Sequence, residues 1–73
     1  MSPDKSIEES YQKLSVLEGD LNKSYWRLHY YIQENVYDSL ADQHKDMIRL
    51  GDIAQALSGV VAARVALVKH RKD

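Results

Sequence analysis

Asp42, His44 and Asp46 place two carboxylates and an imidazole close together in the chain, a donor set that suits a divalent metal. Their spacing argues against that use. On a helix each residue turns about 100°, so His44 points about 200° away from either aspartate and one ion cannot reach all three. His29 and His70 are isolated, and no Glu-x-x-His or His-Glu-x-x-His pattern projects ligands from one helical face. There is no cysteine to act as nucleophile or thiolate ligand, and no glycine-rich phosphate loop. The sequence thus offers no catalytic residue, no cofactor-binding residue and no metal ligand. A non-enzymatic role is expected.

A second group with chemical potential is aromatic. Trp26, Tyr30 and Tyr31 stand with Tyr25 around Arg27 and His29, and aromatic rings interleaved with cations can stack on single-stranded nucleic acid. Here the rings are spread around a helix instead of forming one platform. Trp26 and Tyr30, four residues apart, fit a protein-interface anchor better. The terminal Lys69-His70-Arg71-Lys72 could meet phosphates, but cations at a helix C-terminus also complement its dipole. With 10 Lys and Arg against 11 Asp and Glu, no overall field attracts nucleic acid, and none is expected as a partner.

The elements that hold these residues are helical throughout. The 73 residues allow one domain, 1–73, with Pro3 the sole proline and no Gly- or Pro-rich linker to divide it. Ser2 before Pro3 forms one helix start, and Ser6-Ile-Glu-Glu9 forms another of capping-box type, so a short extra N-terminal turn is an option. Ile7, Tyr11, Leu14, Leu17, Leu21, Tyr25, Leu28 and Ile32 then recur at steps of three and four, the seam of an amphipathic helix over about 4–34. The pattern lapses at 33–39. Asn35 is placed to take a left-handed conformation there, and Asp38 or Ser39 to cap a second helix over about 39–70. A short connection between two long helices predicts an all-α antiparallel hairpin.

The second helix has more apolar surface than one neighbour can cover. By angle, Met47, Leu50, Ala54, Leu57, Val61, Val65 and Val68 form one stripe, taken to face the first helix. Ile53, Ala56, Val60, Ala63 and Leu67 form another, roughly 180° to 260° from Ala54. Either this second stripe wraps the flank of the same core or it docks a partner, and the excess of apolar surface favours docking. Small residues in columns, Gly59 with Ala63 and Ser58 with Ala62 and Ala66, would let a partner backbone approach closely. The expected partner interface is Ile53, Ala56, Gly59, Val60, Ala63 and Leu67, with Trp26 and Tyr30 from the first helix. Membrane insertion is not expected: the apolar run 53–68 contains Gln55, Ser58 and Arg64 and falls short of the about 20 residues of a spanning helix. No signal-peptide pattern opens the chain, and a cytoplasmic protein is expected.

Size, hairpin pattern and the second half of the chain resemble the E components of type III secretion needle-subunit co-chaperones. The residues concerned lie within about 35–68: Asp42-Gln43-His44, then Met47-Ile48-Arg49-Leu50, Ala54-Gln55-Ala56-Leu57 and Val60-Val61-Ala62-Ala63. The resemblance implies pairing with a tetratricopeptide-like chaperone, the pair keeping a needle subunit, linked to virulence, soluble in the cytoplasm before export. The competing readings are a homodimeric four-helix bundle of structural or regulatory type, formed when the chain is alone, and a small nucleic-acid-binding bundle.

Overall fold

A computed structural model describes the backbone of residues 3–72 and the side chains of residues 5–69. Two helices, α1 (Pro3–Glu34) and α2 (Leu40–Lys72), pack antiparallel along their length as a rod of 56 × 17 × 14 Å. The expected all-α hairpin is the fold. α1 runs unbroken from Pro3, so Ser6 lies inside it and no separate N-terminal turn occurs among the described residues. Ser2, the other expected cap, lies outside the described residues, as do the side chains of His70, Arg71 and Lys72.

The connection is built differently from expectation at one end. Asn35 does not adopt a left-handed conformation, since no described non-glycine residue has positive φ. Instead the Asn35 amide donates to the Tyr31 carbonyl at 2.9 Å, adding one more helix-like bond before the chain turns. At the other end Ser39 is the cap. Its hydroxyl accepts from the Asp42 amide at 3.2 Å, and its carbonyl accepts from Gln43 at 3.3 Å. Asp42 adds negative charge to the first turn of α2, where the helix dipole favours it.

Burial follows mainly an alternation of three and four residues, with Glu8, Ser15, His29, Ala54 and Val68 part-buried beside it. On α1 the part-buried line is Ile7, Tyr11, Leu14, Glu18, Leu21, Tyr25, Leu28 and Ile32; on α2 it is Gln43, Asp46, Leu50, Ile53, Leu57, Val60, Arg64 and Leu67. These are the a and d positions of a heptad repeat, the seam of a two-stranded coiled coil. Two expectations change. Leu17 is 45 % exposed and Glu18 takes its seam place. On α2 the seam runs between the two stripes, drawing Leu50 and Leu57 from one and Ile53, Val60 and Leu67 from the other, with Ala54 and Val68 of the first stripe part-buried at its side. Leu50, Ile53, Leu57 and Leu67 of α2 thus face α1 and release much area from water, while Leu40, Met47 and Ile48 stay exposed. Val61, Val65, Ala56, Ala63 and Gly59 are left exposed on the flanks.

No described residue is fully buried. Two cylinders touch along a line, and neither can close over the seam. Leu57→Asp should therefore remove most of the helical circular dichroism, costing more than the about 1 kcal/mol typical of point substitutions. Ile48→Asp, at a position 64 % exposed, should leave the thermal midpoint nearly unchanged. Equal losses from both would contradict the seam.

Candidate partner-binding surface

The seam has a polar layer near its middle. Arg64 reaches across from α2, its Nη1 3.2 Å from Glu18 Oε2, with both side chains largely covered. The Arg64 guanidinium carbon also lies 5.8 Å from the centre of the Tyr11 ring, within cation–π reach. Glu18 Oε1 is buried without a hydrogen-bond partner, so the pair is only partly compensated for the water it lost. Such a pair adds less to stability than to register, since sliding either helix by a turn would leave both charges facing aliphatic side chains. We expect Glu18→Leu alone to lower the thermal midpoint by stranding Arg64. Glu18→Leu with Arg64→Leu should restore or exceed the wild-type value; a double variant less stable than either single one would refute this account.

A second polar contact locks the connection. The Tyr37 hydroxyl donates to Asp46 Oδ2 at 2.8 Å, Arg49 Nη1 stands 3.7 Å from Asp46 Oδ1, and the Tyr37 ring meets Tyr31 edge-on at 6.5 Å. Asp46, an element of the apparent metal triad, is thus engaged in holding the turn. Partial loss of hydration raises the Tyr37 pKa above its ordinary 10.0, helped by the hydrogen bond to Asp46 and its negative charge. The folded protein then holds the phenolic proton more tightly than the unfolded chain. The contribution to stability is complete below about pH 10 and declines as pH rises through the folded-state value. In an absorbance titration the Tyr37 phenol should ionise above its ordinary 10.0, and Tyr37→Phe should remove that late component.

On either side of the seam lies an edge, shared by both helices. In an antiparallel pair the e positions of one helix flank those of the other, and g positions flank g positions. The g edge is seen directly as a shallow recess lined by Ser24, Arg27, Leu28, Tyr31, Arg49 and Ile53. Ala56, Gly59 and Ala63 continue this side of α2 and are exposed. The e edge carries Met47, Val61 and Val65 on α2, which are 52 %, 37 % and 48 % exposed. On α1 it carries an aromatic fan. His29 stacks on Tyr25 at 6.0 Å and meets Trp26 at 5.3 Å and Tyr30 at 5.6 Å, both nearly perpendicular. Trp26 and Tyr30 themselves are 46 % and 55 % exposed.

The expected interface residues therefore fall in three places. Ile53, Val60 and Leu67 are part-buried in the seam, where α1 already covers much of their surface. Ala56, Gly59 and Ala63 are open on the g edge. Trp26 and Tyr30 lie on the opposite side of the hairpin, so the structure does not bring them together with the alanines. Met47, Val61 and Val65, assigned from sequence to the covered stripe, are instead available. The signal that could have sorted them is the unbroken 3–4 alternation through Glu18 and Arg64, which admits two charged residues to the seam.

No family model, curated protein or solved structure matches this chain. The segment Leu40–Lys69 of α2 is long and apolar enough, by length and composition, to cross a membrane, in contrast to the shorter span read from the apolar run alone. In the hairpin the line through Leu50, Ile53, Leu57, Val60 and Leu67 is occupied by α1, and the Arg64 within that line is paired with Glu18.

Proposed function

We propose that this chain is a non-enzymatic co-chaperone that completes its packing on a helical partner. The partner is a tetratricopeptide-like chaperone, and the pair keeps a type III secretion needle subunit soluble and unpolymerised in the cytoplasm before export. The observation that supports the reading is a hairpin packed along its full length with no described residue fully buried. Such a protein gains stability from whatever covers it. The identity of the partner rests on the sequence resemblance over about 35–68. The proposed contact is the small-residue edge of Ala56, Gly59 and Ala63, where a partner helix can approach the backbone closely, with Ile53, Val60 and Leu67 at its margin.

Co-expression with helical-repeat proteins encoded alongside should yield a stable 1:1 complex. Ala63→Glu should weaken it at least about tenfold while preserving helicity, because it buries a charge at a position the hairpin leaves open. Val60→Asp would be a poor probe, since Val60 also holds the hairpin together. A complex that forms normally with Ala63→Glu, or no complex with any neighbouring product, would defeat the proposal.

A further inference from the structure

The two edges differ sharply in charge. At the e and b positions from Gln12 to Gln33 on α1, and from Met47 to Val68 on α2, no side chain is Asp, Glu, Lys or Arg. The g and c positions carry Lys13, Asp20, Arg27 and Glu34 on α1 and Arg49 and Asp52 on α2. Over most of its length one long side of the rod is therefore uncharged, and it is the side bearing Trp26, Met47, Val61 and Val65; Lys5 and Glu8 stand at its end. An uncharged strip is complementary to itself, which an interface between identical copies requires.

Surface area gives the scale. A globular monomer of 8.4 kDa exposes about 4,600 Å² by the usual scaling with mass, whereas this chain exposes 5804 Å². Two copies joined into one globular body would bury about 4,000 Å² in total, within the range of obligate homodimers.

The glycines on this edge are unexplained by the hairpin. A Cβ built at Gly19 or Gly51 meets nothing within 4 Å, so neither is needed for packing of α1 on α2. Each costs about 0.5–1 kcal/mol relative to alanine within a helix. Gly19 lies two turns from Trp26 on the same edge, a notch beside a projecting ring. Copies related by a two-fold axis along the rod would lay α1 of each over α2 of the other, and Trp26 would not meet Gly19. An axis across the rod, at the level of Asn22, sets each Trp26 against the other copy's Gly19.

We propose that a second copy of this chain covers the uncharged edge in that antiparallel arrangement, Trp26 of each seated over Gly19 of the other, to make a four-helix bundle. The g edge stays free, so this inference stands apart from the proposed chaperone contact.

Sedimentation equilibrium of the full chain should return twice the 8.4 kDa of one copy. Val65→Glu should raise the dimer dissociation constant about a hundredfold or more while retaining helicity, and Ile48→Glu should not. The chain has no cysteine, so single-cysteine variants report geometry cleanly. Asn22→Cys should cross-link to itself on oxidation. Gly51→Cys should not, since Gly51 lies level with Tyr31 in the register set by Glu18 and Arg64, and its two copies would stand about 25 Å apart. The cross-linking pair tests the arrangement even if Val65→Glu fails to fold. A monomer at all concentrations, with or without flotation on phosphatidylcholine vesicles, would overturn the proposal. So would a dimer indifferent to Val65→Glu, or equal cross-linking at Asn22→Cys and Gly51→Cys.

Discussion

Two helices in contact share a line, and the whole structure is organised by what that line can and cannot cover. Each seam side chain is shielded by the facing helix but stays open along its flanks, so burial stops at the intermediate level everywhere described. The hydrophobic effect still orders the helices, because Leu and Ile on the seam release more area than Val or Ala would. What it does not provide is a closed interior. Every functional question about this protein follows from that deficit.

The polar layer fits the same constraint. A fully apolar seam between two long helices tolerates sliding, since one aliphatic contact resembles the next. Glu18 and Arg64 remove that tolerance at the cost of water lost from both groups, a cost kept moderate because neither is sealed in. At the turn, Tyr37 and Asp46 fix the other end of the same register. The hairpin is thus positioned by two polar contacts and stabilised by the aliphatic residues between them.

The edges divide the exposed surface by chemistry. One presents small residues and mixed charges, the other aromatic and aliphatic side chains with no charge over most of its length. A single flat partner cannot meet Trp26 and Ala63 together, since they face opposite sides. Two separate contacts can, and the rod shape leaves both sides free along their length.

The all-α hairpin was legible in the chain itself, because amphipathic periodicity and the break at 33–39 depend only on local sequence and the 3.6-residue turn. A cap for α2 at Asp38 or Ser39 was legible for the same reason, and the structure selects Ser39. The exposed faces were not. Angles on one helix cannot say where the other will lie, and treating Val and Leu as equally apolar assigned the stripe through Leu57 and Val61 to the first helix and the stripe through Ile53, Val60 and Leu67 to a partner. Only the packed structure ranked them, since the direction of contact is set by which side chains remove most area from water across both helices at once. That ranking moved Ile53, Val60 and Leu67 into the seam and released Met47, Val61 and Val65. It also drew Glu18 and Arg64 into contact, a pairing 46 residues apart in the chain that no local pattern encodes.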